Sequence, residues 1–141
     1  MAIYVGIDPG VKTGIAVWDT KERKFLYLDT LTIIGAMIVV RRCQETHGEI
    51  TIVAEDARQR KYLPQERSIS EYRGKLMGAG SIKRDCEIWE NFASFFNIPI
   101  QFVPPRKGLT KWDADYFKKI TGWTGRTSNH ARDAAILIFN K

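Results

Sequence analysis

Ala2-Ile3-Tyr4-Val5-Gly6-Ile7-Asp8-Pro9-Gly10 opens the chain, and Val11-Lys12-Thr13-Gly14-Ile15-Ala16-Val17-Trp18 continues it. Ile3, Val5 and Ile7 recur at every second position, the period of a strand with one buried face, and Asp8-Pro9-Gly10 closes the run as a turn. Extended character resumes from Ile15 to Trp18. With Lys12, Thr13 and Gly14 between them, the two runs predict a β-hairpin. From Phe25 to Ile33 the alternation returns, Phe25 and Tyr27 against Leu26 and Leu28, with β-branched Thr30, Thr32 and Ile33 behind. An antiparallel meander of three strands is therefore expected.

Downstream the period changes. Met37, Ile38, Val40 and Cys43 fall at helical spacing between Gly35 and His47, and Gly48 is a suitable stop. Ile50 to Ala54 is a short β-branched run of the kind buried between helices, and Glu55 and Asp56 stand at its end. Helical character runs from about Ser68 to Phe96 along an apolar stripe of Ile82, Cys86, Trp89, Phe92, Ala93 and Phe96, although Gly74, Gly78 and Gly80 weaken its first half. Ile98 to Val103 predicts a fifth strand closed by Pro104-Pro105, and Trp112 to Ile120 a short helix stopped near Gly122. Ser128 or Asn129 is a good N-cap for a last helix reaching Phe139. Three strands, then helix, strand, helix, strand and helices make a mixed-sheet α/β fold. There is no internal repeat.

The bulk composition narrows the function classes. The 141 residues, 44% hydrophobic and 27% charged, suit one domain spanning residues 1–141 with a proper core. Asp8, Lys12, Asp19 and Lys21 interrupt the N-terminal third, so neither a membrane span nor a signal peptide is expected, and a cytoplasmic protein is. Cys43 and Cys86 are too few for a disulfide framework and should be reduced. The net charge of +6 favours polyanionic partners. It is unevenly spread. Between Arg58 and Arg84 eight basic residues, among them Arg60, Lys61, Arg73 and Lys75, face Glu66 and Glu71 alone. A second surplus, Arg106, Lys107, Lys111, Lys118, Lys119 and Arg126, faces Asp113 and Asp115. Either run is also what a solvated surface looks like.

Three places hold groups suited to chemistry. Asp8 follows a strand, where Asp-Pro-Gly is equally an ordinary turn. Glu55 ends a central strand, at the edge where α/β sheets place ligands and metals, or simply terminates it. His130-Ala131-Arg132-Asp133 opens the last helix, and its spacing puts His130 and Asp133 on one face. The helix dipole accounts for an acid such as Asp133 but gives His130 no role. Three acidic positions and a histidine can assemble a site for Mg²⁺ or Mn²⁺, and two ions roughly 4 Å apart suit phosphodiester hydrolysis. Cys43 and His47, four apart on a helix, are half of a zinc site at best and read as packing. Trp89, Phe92 and Phe96 belong to a core or a dimer interface.

Gly6-Ile7-Asp8-Pro9-Gly10 with Thr13-Gly14-Ile15-Ala16-Val17, then Ile52-Val53-Ala54-Glu55, then His130-Ala131-Arg132-Asp133-Ala134-Ala135, resemble in order and spacing the RuvC-type Holliday-junction resolvases of the RNase H-like superfamily. The resemblance spans nearly the whole chain. It implies an RNase H-like mixed five-stranded sheet flanked by helices, and a homodimeric crossover-junction endodeoxyribonuclease acting on four-way junctions, forks or flaps. It also implies metal positions at Asp8, Glu55, His130 and Asp133, with two Mg²⁺ or Mn²⁺ ions and Lys111 or Lys107 near the scissile phosphate. Arg58, Arg60, Lys61, Arg73, Lys75, Lys107 and Arg126 would hold DNA. Lys118 to Arg126 resembles the divergent resolvase-like proteins of bacteriophages and prophages, which would place the protein in a bacterium or a phage-infected host. Two departures stand out. Many members carry a carboxylate where His130 stands, and the aromatic that follows the second carboxylate is replaced by Arg58, with Tyr62 the nearest ring. Two rivals remain: a junction-binding protein without catalysis, and an actin- or sugar-kinase-type phosphotransferase, which shares the Gly-Ile-Asp-x-Gly hairpin but needs two lobes.

Overall fold

The computed structural model describes residues 2–59, 69–105 and 112–141, with residues 69–79 and Ile82 described by backbone alone. Strand β1 (Ile3–Asp8) pairs antiparallel with β2 (Thr13–Asp19), which pairs antiparallel with β3 (Lys24–Leu31). The meander expected from the alternation is therefore present. A bulge between Val17 and Trp18 sets Phe25 opposite Trp18 and leaves Leu26 as the extra residue. On the other side β1 runs parallel to β4 (Ile50–Glu55), and β4 parallel to β5 (Ile100–Val103). The sheet order is β3-β2-β1-β4-β5, with β2 alone reversed.

Four α-helices cover the sheet among the described residues. Helix α1 (Ile33–His47) begins at Thr32, whose Oγ1 accepts from the Gly35 amide, and ends at Gly48, whose φ of 78° is open to glycine at little cost. Helix α2 (Ile69–Phe95) is continuous through Gly74, Gly78 and Gly80, which the sequence had made doubtful. Its second half buries Cys86, Trp89, Phe92 and Ala93, and this packing outweighs roughly 1 kcal/mol of lost propensity at each glycine. Helix α3 (Ala114–Thr121) is capped by Asp113 and stopped by Gly122 in the left-handed conformation. Helix α4 (Asn129–Ile136) is capped by Ser128 and ends before the expected Phe139, in a run of turns.

Because side chains alternate along a strand, the two faces of the sheet build two cores. Ile3, Val5, Ile7, Ile15, Val17, Ile52 and Ala54 pack with Ala36, Val40, Trp89 and Ala93 of α1 and α2. Ala16, Trp18 and Val53 leave the opposite face and meet Phe117 of α3, Ala131, Ala134 and Ala135 of α4, and Ile138 in the turns beyond it. Trp89 is fully buried and stacks edge-on against Phe92 at 5.5 Å, so both belong to the core and neither supplies an apolar interface between chains. Phe96 is half-buried beneath the Arg41 guanidinium, 4.1 Å from its ring centre. Cys43 also packs on this core, and burial pushes its thiol pKa up, which fits packing rather than zinc binding.

Candidate active site

Asp8 and Glu55 end adjacent parallel strands. Ile7 is paired with Ala54, so the next residue on each strand is a carboxylate at one sheet edge. By the alternation that sends Val53 towards α4, both fall on the α4 face. The turn after Asp8 is closed by buried Thr13, whose hydroxyl donates to the Gly10 carbonyl at 2.8 Å.

Helix α4 lies directly on this face because two strand positions carry no side chain. A Cβ on Gly6 would stand 2.1 Å from the Ala134 carbonyl oxygen, and one on Gly14 would stand 1.9 Å from that of His130. The strand glycines thus permit a backbone approach that any other residue would block. Gly14 is also the partner of Asp8 across the hairpin, so the contact that seats α4 sits beside the carboxylate. The result is a contact between His130 Nδ1 and Asp8 Oδ2 at 3.1 Å, with the imidazole about half exposed and the carboxylate 17% exposed. Asp133 follows one turn along α4 and is half-buried.

Further contacts hold the start of α4. Ser128 Oγ accepts from the Ala131 amide and touches Thr30 Oγ1, tying the cap to β3. Buried Arg132 donates to the Trp112 carbonyl, the Thr127 hydroxyl and the Asn129 side chain, joining the approach to α3, the connector and the helix start. Sequence reasoning did not single out Arg132. A cation between Ala131 and Ala134-Ala135 on an otherwise small, apolar face was the available signal. Gly6 and Gly14 were quoted only as part of a motif; glycine inside a strand is itself a sign of close backbone approach.

Of the four expected ligand positions, the fold brings Asp8 and His130 into contact and sets Glu55 and Asp133 at the same edge. Carboxylates and an imidazole suit Mg²⁺ or Mn²⁺ in kind, but among the described residues no three of these groups gather closely enough to hold one ion. Lys107, Lys111, Arg60, Lys61 and Tyr62 lie outside the described residues, as do the side chains of Arg73 and Lys75. Arg126 is exposed in the connector before α4.

Arg58 is engaged within the protein. It makes three hydrogen bonds to Asp56, one from its backbone N–H and two from the guanidinium, lies 3.5 Å from Glu90 and covers the Phe102 ring at 4.8 Å. The bonds to Asp56 hold the guanidinium pKa up. Burial alone would raise the Asp56 pKa, but hydrogen bonds from Arg58 and Gln59 and the guanidinium charge hold it below the usual carboxylate range. Stability from this depressed pKa is present above about pH 3.9, the unfolded value, and is lost as pH falls through the folded value. Asp56→Asn is expected to cost about 1–3 kcal/mol at pH 7. The gap to wild type should narrow at pH 3 in urea unfolding; the same gap at both pH values would disprove the linkage.

The mixed sheet, its order and its flanking helices define an RNase H-like fold. Two similar solved structures are "T. thermophilus RuvC in complex with Holliday junction substrate", 15% identical with a TM-score of 0.59, and "Thermus thermophilus RuvC structure", 14% identical with the same TM-score. The match covers 98% of this chain in both cases, and 91% and 92% of the two RuvC chains. The sequence matches no family model and no curated protein.

Proposed function

We propose that this chain is a divalent-metal-dependent endonuclease that cleaves Holliday junctions and other branched DNA by phosphodiester hydrolysis, built as a single RNase H-like domain. The observation that carries the proposal is the Asp8–His130 pair at 3.1 Å, on the sheet edge where Glu55 ends the neighbouring strand. The RuvC-like fold supports it, since one similar structure is a RuvC bound to a Holliday junction substrate.

Asp8 and His130 would hold the cation, with Glu55 and Asp133 as further donors from the same edge. A divalent ion bound there supplies Lewis-acid polarisation of the phosphodiester and a nucleophile at neutral pH. The protein's part is to fix the donors on two strand ends and one helix, a rigid frame that keeps them in place. Lys111 or Lys107 would neutralise charge developing on the phosphate. Basic residues of the Arg58 to Arg84 run would grip duplex arms through phosphates, reading shape before sequence. Resolution of a symmetric junction needs two nicks, so a homodimer belongs to the proposal. A phage or prophage relationship rests on Lys118 to Arg126.

The test is incubation with labelled four-way junction, fork, flap and linear duplex in Mg²⁺, in Mn²⁺ and in chelator. Metal-dependent cleavage confined to the branched substrates is expected. Junction binding with no cleavage in either metal would replace the enzyme with a binding protein.

The His130 position makes a separate prediction. Imidazole suits Mn²⁺ better than Mg²⁺, which prefers oxygen. His130→Ala should lose more than about tenfold in rate, whereas His130→Asp should stay active with its preference moved towards Mg²⁺. Rates of both variants in each metal decide it. An inactive His130→Asp would assign the imidazole a proton-transfer role, and a fully active His130→Ala would remove it from the site.

A further inference from the structure

Between α3 and the connector to α4 lies an open cavity of about 280 Å³. Its walls follow from the local sequence. Gly122 stops α3 in the left-handed conformation and turns the chain back, so Trp123 packs against the core cluster that contains Phe117. Gly125 lies against the indole, where a Cβ would come within 3.0–3.3 Å of the ring. Lys118 stands on the helix wall, and Arg126 and Thr127 on the connector wall.

Two independent features describe what would fit. The first is charge. Lys118 and Arg126 join none of the ion pairs among the described residues, and Asp115 is the sole acid in the lining. Behind Thr127 sits Arg132, 8% exposed, whose hydrogen-bond acceptors are all neutral. A buried guanidinium satisfied only by neutral groups keeps its field, which favours an anion nearby. The second is the half-buried indole of Trp123 in the same wall, a flat surface on which an aromatic ligand can stack. A nucleotide is both flat and anionic. The volume lies at the lower limit of small-molecule sites, about 300 Å³, and so suits one nucleotide rather than a duplex. In a duplex each base is already stacked and paired, so the base that reaches Trp123 must be unpaired.

We propose that this cavity binds one unpaired nucleotide, its base on the Trp123 indole and its phosphate between Lys118 and Arg126. The site goes beyond the nuclease reading and needs no metal. Thr127, in the cavity wall, precedes His130 of the candidate site by three residues.

The test is binding to the whole protein in chelator, followed through the indole N–H resonance of Trp123, which Trp123→Phe assigns by removing it. That N–H has no hydrogen-bond partner among the described residues, so its shift reports the ring's surroundings. The probes are tetrathymidylate, thymidine monophosphate, inorganic phosphate and a blunt hairpin duplex. A saturable shift is expected with the first two, weakened about tenfold or more by Lys118→Gln with Arg126→Gln, both exposed and tolerant positions. Tighter binding of tetrathymidylate than of the monophosphate assigns the site to a strand, and the reverse order to a free nucleotide. No shift with millimolar tetrathymidylate, an equal shift with phosphate or duplex, or unchanged affinity in the double variant would overturn the proposal. Since cleavage plays no part, a negative nuclease assay leaves this result intact.

Discussion

Asp8→Asn is expected to lower cleavage of a four-way junction by about a thousandfold, while junction binding in chelator stays within about twofold of wild type. A bound cation contributes several kcal/mol of transition-state charge stabilisation, and each 1.36 kcal/mol is about tenfold in rate. Asparagine keeps the size of Asp8 and an oxygen for the His130 contact at 3.1 Å, so what it removes is charge. Asp8 is 17% exposed at a strand end, and the change should leave the sheet folded. Single-turnover rates in Mg²⁺ and Mn²⁺, with thermal unfolding as the control, test this. Cleavage near the wild-type rate would remove Asp8 from the active site and with it the proposed metal position.

Gly14→Ala should have the largest effect of any single methyl group added to this protein. The new Cβ would stand 1.9 Å from the His130 carbonyl oxygen, a backbone atom of a helix packed on the sheet, so the neighbour has no flexible end to move aside. Either α4 lifts or the fold loses roughly 3 kcal/mol or more, against a total stability of about 5–15 kcal/mol for an ordinary domain. Lifting of α4 would separate His130 from Asp8 and lower activity, whereas the loss of stability alone would show in the unfolding midpoint. Gly6→Ala meets the Ala134 carbonyl at 2.1 Å and should behave alike. The control is Gly80→Ala on α2, where a Cβ meets nothing within 4 Å and should stabilise by about 0.5–1 kcal/mol. Urea midpoints of the three variants decide between them; a Gly14→Ala protein as stable as wild type would show that α4 does not rest on β2 as described.

The meander was legible because Ile3, Val5, Ile7 and Phe25 follow a period of two through turn residues, and such local alternation survives folding unchanged. The cap at Ser128 and the stops at Gly48 and Gly122 are equally local, whereas Thr32, expected in the third strand, caps α1 instead. Less legible were the ends of β5 and α4. Ile98 and Phe139 continue the apolar pattern, but Ile98 enters the core before the strand pairs and Phe139 packs on the aromatic cluster after the helix has ended. The α2 glycines misled in the opposite sense, because propensity is weighed against packing that only the folded chain supplies.

Of the candidate site, the residue types and their places at strand and helix ends follow from the sequence, since a carboxylate ending an apolar run and a histidine opening a helix are local facts. That Asp8 and His130 meet, though 122 positions apart, was decided by tertiary structure, through two strand glycines whose missing side chains let a helix backbone touch the sheet. The same holds for Arg58 and Arg132. Both are cations in the sequence, one in a run that suits DNA, yet the fold turns Arg58 onto Asp56 and buries Arg132 among neutral acceptors. A charge count is additive along the chain. Whether a given charge faces solvent or a partner depends on which elements pack against it, and that is set by contacts between distant segments.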